Sequence, residues 1–203
     1  MSVLSQVRAA TRDIHQSLDD HPLLVRFMSQ GNVTAYQTFL QTFSLYLRIA
    51  VAKQLDYITT DDRKVINYEP WSAALQSDLE TFEAGDNFAF ADRYSKHLPD
   101  IENVSQYWGF LYVMEGSTLG GRQLAAMIPS DWPSEFLRRG AEAKLRWPYF
   151  CRRLGELEVA GAIEAAEVQL GADKAFRSMV KIFDKTLDKT PPAATFVSLS
   201  SEI

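Results

Sequence analysis

His15 is the side chain in this sequence best suited to hold a metal ion. An imidazole is the usual axial group for haem iron, and a metal-bound histidine commonly donates its second ring N–H to a carboxylate. Asp19 follows one helical turn after His15 and can take that role. A half-exposed or core histidine without a ligand is the plainer interpretation. The other histidines, His21 and His97, have no spacing with Cys151 that suits zinc.

The stretch VMEGSTLGGRQLAAM is unusual because three glycines interrupt an apolar run of helical character, Gly116, Gly120 and Gly121. Each glycine in a helix interior costs about 1 kcal/mol relative to alanine. Gly116 and Gly120 share one helix face, which Tyr112 and Leu124 extend, so a flat ligand could approach the backbone there. Close packing between helices is the alternative, because small residues four apart also allow it.

Basic residues cluster in two places, Arg8 and Arg12 early in the chain and Lys144, Arg146, Arg152 and Arg153 late. Such clusters either form solvated faces or meet the carboxylates of a ligand, which arginine binds with two parallel hydrogen bonds. Arg8 precedes His15 by seven residues, which places it about 10 Å away on nearly the same face of a helix. That distance is comparable with the distance from a porphyrin centre to its propionates.

Helices must position these residues. Residues at spacings of three and four form one mostly apolar stripe, which predicts a first helix that Pro22 ends. The stripe consists of Leu4, Val7, Thr11, Ile14 and Leu18. A capping box, Thr34-x-x-Gln37, predicts the start of a second helix of about six turns. Most aromatic residues have helical spacing and are expected to pack in the core, and a few could line a pocket.

The later sequence continues the helical pattern. WSAALQSDLETF predicts an amphipathic third helix, and a long helix is expected from Ser105 to Met127. A short helix follows in SDWPSEFLRRG, and the next helix is expected to be interrupted at Pro148. AIEAAEVQLGADKAFRSMVKIFDKTL closes the domain, with Pro191 and Pro192 as its stop. No stretch shows the period-two alternation of a strand, so the fold is predicted to be all-α.

Composition limits the classes of function. The chain has 203 residues and a formal net charge of −5, which fits one domain and argues against a general nucleic-acid binder. The single cysteine excludes an internal disulfide. Neither a secretory leader nor a membrane span is recognisable. We therefore expect a cytoplasmic protein with one domain over residues 1–189 and a mobile tail over 190–203.

Together these residues resemble the haem oxygenase family. VRAATRDIHQSLDDHPLL is similar to the family's first helix, in which a Leu-Lys/Arg-x-x-Thr run leads to the proximal histidine. SQGNVTAYQTFLQTFSLYLRIAVAKQL is similar to the second helix, with a family-like Gly31 and Tyr46. YVMEGSTLGGRQLA is similar to the distal helix, especially that of bacterial members linked to phytochrome chromophore synthesis. RWPYFCRRL and AFRSMVKIFDKTL are similar to the last two helices, so the resemblance covers residues 3–188.

The resemblance implies a haem-oxygenase-like bundle with His15 as the axial iron ligand. It also implies roles for further residues around the haem: Gly116, Gly120 and Gly121 as distal backbone, Arg8 and Arg152 or Arg153 as partners of the propionates, Phe176 against the macrocycle, and Tyr46 and Tyr112 framing the pocket or holding water. Many members place an aspartate directly after the first distal glycine, where it organises the water that supplies protons. This chain has Ser117 there, as other bacterial members also lack the acid. We therefore expect a water chain held by Ser117 and Tyr112.

The implied activity is oxidative cleavage of haem, which is both cofactor and substrate, to biliverdin, carbon monoxide and ferrous iron. GSTLGG is not a dinucleotide-binding fingerprint, so electrons are expected from a separate reductase or ferredoxin. Two alternatives stay open: a haem carrier without turnover, and a haem-free relative, because fold alone does not fix function. The presence of His15 argues against the haem-free alternative.

Overall fold

The first helix, α1 (Val3–Asp19), forms because its apolar side chains recur every three or four residues and meet the core on one face. The computed structural model describes residues 1–82, 87–139 and 143–187. In these residues α1 is followed by α2 (Pro22–Gln30), α3 (Val33–Tyr57), α4 (Thr60–Arg63), α5 (Glu69–Thr81), α6 (Asn87–Tyr94), a 3-10 helix (Ser95–His97), α7 (Val104–Met127), α8 (Glu135–Arg138), α9 (Ala143–Val159) and α10 (Ala165–Leu187).

This described part of the chain contains no β-strand, which confirms the predicted all-α fold. None of its helices is both long enough and apolar enough to cross a membrane. The tail over 190–203, with Pro191 and Pro192, lies outside the described residues, so its mobility stays a prediction.

Pro22 begins a helix that the sequence analysis missed. Helix α1 already ends at Asp19, and Pro22 is the first residue of α2. Proline is favoured at this position because the first turn of a helix has no partner for its N–H. The His21 side chain caps α2, since its Nδ1 accepts a hydrogen bond of 3.1 Å from the amide of Leu23.

The start of α3 also differs from the prediction. Asn32 is the N-cap, and its Oδ1 accepts a hydrogen bond of 2.9 Å from the amide of Ala35. The predicted capping box of Thr34 and Gln37 is therefore wrong. Thr34 is the second residue of α3, so it lies inside the helix and cannot be its N-cap.

Helix α9 runs without interruption through Pro148, contrary to the prediction. Pro148 lies in the second turn, so its missing N–H removes one hydrogen bond near the helix start and the remaining turns continue.

Helix α10 packs against both α1 and α7 and so supports the two helices that carry the candidate site. Its crossing with α7 is unusually close. A side chain on Gly109 would overlap the carbonyl oxygen of Val168, and one on Gly171 would overlap the carbonyl oxygen of Gln106. Two glycines, one on each helix, therefore allow the backbones to meet.

Candidate functional site

His15 is held by an ion-pair partner on one side of its ring and exposed on the other. Its Nδ1 lies 3.0 Å from Oδ2 of Asp19, and the side chain keeps 54% of its full exposure. With the proton on Nδ1, the Nε2 atom retains its lone pair, and no described residue forms a hydrogen bond with it. Phe176 of α10 packs edge-on against the imidazole, with 5.3 Å between ring centroids. This geometry suits an axial ligand whose tautomer and orientation are fixed.

Gly116 and Gly120 face space that the described chain leaves clear. A methyl group added to Gly120 would meet no atom within 4 Å, and one added to Gly116 would only touch the Trp147 ring at 3.8 Å. Packing between helices therefore does not explain these two glycines. Gly121 differs, because an added methyl group would lie 3.1 Å from the carbonyl oxygen of Leu137. The absence of a side chain on Gly121 lets the end of α8 approach α7.

Trp147 forms a wall beside this open face. Its ring lies 5.9 Å from the Tyr112 ring and stacks on Phe150 at 5.6 Å between centroids. Tyr112 and Trp147 are both half-buried, so part of each ring remains accessible next to Gly116. Aromatic surface of this kind suits contact with a flat apolar ligand.

Ser117 is oriented by two hydrogen bonds. Its hydroxyl donates to the carbonyl oxygen of Met114 at 2.7 Å and accepts from Nη2 of Arg139 at 3.0 Å. The hydroxyl proton of Ser117 therefore points to the backbone of α7. The Oγ atom keeps a lone pair that can accept a further hydrogen bond.

A buried charged cluster lies directly beside the glycines. Glu115 is fully buried, and its Oε1 lies 2.6 Å from Nη2 of Arg146. The hydroxyl of Tyr68 donates to the same carboxylate at 2.6 Å, and burial raises the pKa of Tyr68 well above its usual value. Neither sequence interpretation of Arg146 was right, because this arginine is not solvated and serves a carboxylate of the chain itself. The ion pair fixes α9, and with it Trp147, against α7.

The structure separates the two candidate arginines of α9. Arg153 donates to Oδ1 of the buried Asp62 at 2.8 Å and so ties α9 to α4. Burial alone would raise the pKa of Asp62, but hydrogen bonds from Thr59, Tyr149 and Arg153 hold it below its usual value. Arg152 remains 67% exposed; it lies 3.5 Å from Glu156, and its guanidinium lies 5.3 Å from the ring centre of Tyr149. Of the two, Arg152 is the one available to a ligand.

Arg8 and Arg12 are exposed on α1, and the positive charge of Arg8 reaches Cys151 on α9. Burial raises the pKa of Cys151, and Arg8 opposes that rise. Arg8 thus faces the side of α1 that meets α9. The Lys144 side chain lies outside the described residues.

Tyr46 lies in the core rather than on the open face. It is fully buried, its ring stacks on Phe110, and its hydroxyl donates to the carbonyl oxygen of Ala175 at 2.6 Å. Burial raises the pKa of Tyr46 far above its usual value. Because Ala175 precedes Phe176, Tyr46 supports the segment of α10 that contacts His15.

A cavity of about 360 Å³ lies elsewhere, between α3 and α5, with Leu47, Leu75 and Leu79 in its wall. It contains none of the predicted site residues. The described residues also hold no group of three or more histidine, cysteine or carboxylate side chains placed to bind a metal.

The fold and these contacts define an all-α protein with an oriented, accessible histidine on α1 and a glycine face on α7 that the described residues leave clear. The family model of haem oxygenase matches residues 1–185, and the chain belongs to the haem oxygenase family. No curated protein and no solved structure matches the chain. Membership of the family supports a haem-binding or haem-degrading function.

Three residues that shape the site were not predicted from the sequence. They are Glu115, Arg139 and Trp147, whose ring lies beside Gly116. A signal was available for Glu115, because a lone acid inside the apolar run of α7 requires a buried partner. For Arg139 there was none, since its contacts join residues far apart in sequence.

Proposed function

We propose that this protein is a haem oxygenase that converts haem, with O2 and external electrons, to biliverdin, carbon monoxide and ferrous iron. The observation that carries the proposal is that the chain has both an oriented, accessible His15 and glycines on α7 that packing among the described residues does not require. Family membership adds haem as the expected substrate.

The residues fit haem. His15 would bind the iron through Nε2, while Asp19 holds the opposite ring nitrogen. Gly116 and Gly120 would let the distal face of the ring lie close to the α7 backbone. Bound haem supplies the redox chemistry that activates O2. The chain itself provides ligation, orientation and protons.

Orientation depends on the haem propionates. Arg8 and Arg152 are the accessible arginines that would pair with them, and this pairing would fix which meso carbon lies near the oxygen. Protons would pass through water held by Ser117 and Tyr112. Phe176 would pack against the macrocycle as well as against His15.

The electron donor is proposed to be a separate reductase or ferredoxin in the cytoplasm. Haem carriage without turnover is the second candidate function, favoured by the serine at position 117 in place of an acid.

A haem titration followed by turnover tests the proposal. Hemin is added to the purified protein, the Soret band is recorded, and ascorbate or a ferredoxin–reductase system is then supplied in air. We expect a one-to-one complex, loss of the Soret band and growth of the biliverdin band. His15→Ala should weaken binding at least about tenfold, which is about 1.4 kcal/mol. His97→Ala is the matched control and should bind haem as the wild type does.

A Soret band that survives reducing turnover would identify a haem carrier. The absence of any saturable complex would contradict a haem function altogether.

A further inference from the structure

Arg139 is a buried cation without an acidic partner of its own. Its side chain is only 7% exposed, and among the described residues no carboxylate forms a salt bridge with it. The guanidinium lies 3.5 Å from the ring centre of Phe136 and 4.8 Å from that of Trp71. It donates to the carbonyl oxygen of Phe136 at 2.5 Å and to Oγ of Ser117 at 3.0 Å. Its Nε has no hydrogen-bond partner in the structure.

The charges around Arg139 act in opposite directions, since Glu115 favours its positive charge and Arg146 opposes it. The groups that face it are Glu115 on α7, Arg146 on α9, Tyr68 before α5 and Tyr36 on α3. Glu115 is already paired with Arg146 and Tyr68. Burial lowers the pKa of Arg139 to about 9, so the guanidinium still carries its proton at neutral pH. A buried charge is costly without a partner, which sets this arginine apart from an ordinary core residue.

Gly121 explains how the cation reaches α7. A methyl group at Gly121 would lie 3.1 Å from the carbonyl oxygen of Leu137 and 3.7 Å from Nη1 of Arg139. The third glycine of the motif therefore lets the Leu137 carbonyl, and with it the segment that carries Arg139, come close to α7. Gly121 and Ser117 are four residues apart on α7 and directly follow Gly120 and Gly116 of the open face.

We propose that Arg139 is a positioning residue that orients the Ser117 hydroxyl and supplies a fixed positive charge behind the distal face of the site. The inference rests on the proposed function, because it concerns the side of α7 at which haem would bind. A positive charge there favours negative charge on a distal ligand of the iron. Arg139 would also hold the Ser117 oxygen in position to accept a hydrogen bond from water on the distal side of the haem.

The acidity of water on the ferric iron reports such a charge, because nearby positive charge favours the deprotonated form. Ferric haem complexes are titrated from pH 6 to 11 and followed by their visible bands, using the wild type, Arg139→Met and Ser117→Ala. Arg139→Met should raise the midpoint by about 1 pH unit. Ser117→Ala should lower it instead, since the Ser117 oxygen accepts a hydrogen bond from the bound water and so favours its protonated form. Arg138→Met removes the exposed neighbouring charge and should leave the midpoint unchanged.

Ser117→Ala keeps the test decisive if Arg139→Met does not fold. A structural role alone for Arg139 predicts a lower melting temperature with an unchanged midpoint in every variant, and that result would overturn the inference while leaving the proposed function intact. A wild-type protein that binds no haem would overturn both.

Discussion

Helix α7 carries glycines in two contrasting environments. Near its start, Gly109 lies against the backbone of α10, where Gly171 makes the reciprocal approach to α7. Two turns further on, Gly116 and Gly120 meet almost nothing. Sequence spacing treats all of these glycines alike. The atoms around each missing side chain distinguish a packing glycine from a glycine that leaves space for a ligand.

The two halves of α7 also differ in what surrounds them. The half around Gly109 is enclosed by core side chains such as Tyr107 and Phe110, which are fully buried. In the later half, Leu119 and Met127 are large apolar side chains left more than half exposed. The first half is enclosed in the core, and the second leaves apolar surface exposed.

The largest expected effect comes from Gly109→Ala. The added methyl group would overlap the backbone of Val168 and Ala172, which cannot move without separating α7 from α10. We expect the free energy of unfolding to fall by about 3 kcal/mol, measured by urea denaturation and circular dichroism. Gly155→Ala on α9 is the control, because a methyl group there meets no atom within 4 Å. A Gly109→Ala protein as stable as the wild type would show that close packing against α10 does not require glycine at position 109.

A smaller effect of opposite sign is expected at Gly120. Gly120→Ala places a better helix former in open space, so the ligand-free protein should gain about 1 kcal/mol in free energy of unfolding. The same denaturation experiment measures it. A loss of stability would show that Gly120 has a structural role in the protein without haem.

The smallest effect concerns Asp62 on α4, which ties down α9 through Arg153. Trp147 of α9 borders the later half of α7. Hydrogen bonds from Thr59, Tyr149 and Arg153 hold the pKa of Asp62 below its unfolded value of about 4. A lowered pKa means that Asp62 stabilises the fold above about pH 4, and that this contribution is lost as the pH falls through the folded-state pKa. Asp62→Asn should therefore flatten the decline in stability between about pH 5 and 3, by about 1 kcal/mol at most. An unchanged slope would show that Asp62 does not contribute.

Local pattern was enough to predict much of the fold. The apolar stripe of α1 and the limits of α7 follow from the helical period, and the structure confirms both. Pro22 was misinterpreted because proline ends one helix and begins another with the same residue type. Whether a proline ends a helix or begins one, and which residue caps a helix, depends on which backbone amides already have hydrogen-bond partners. The sequence does not show those partners.

The candidate site also has one part that could be predicted from the sequence and another that could not. The pair of His15 and Asp19 could be predicted because both residues lie on one helix one turn apart. The burial of Arg146 with Glu115 could not, since the two residues are on different helices and meet only in the folded chain. The same is true of Arg139, and of Arg153 with Asp62.

We propose that the α7 face at Gly116 and Gly120 is kept clear for haem. The most direct test is the dissociation constant of hemin, from Soret titration, for the wild type, Gly120→Leu and the control Gly155→Leu. We expect Gly120→Leu to fold normally but to bind hemin at least about tenfold more weakly, which is about 1.4 kcal/mol, while Gly155→Leu should bind as the wild type does. Equal affinity in all three proteins would contradict it.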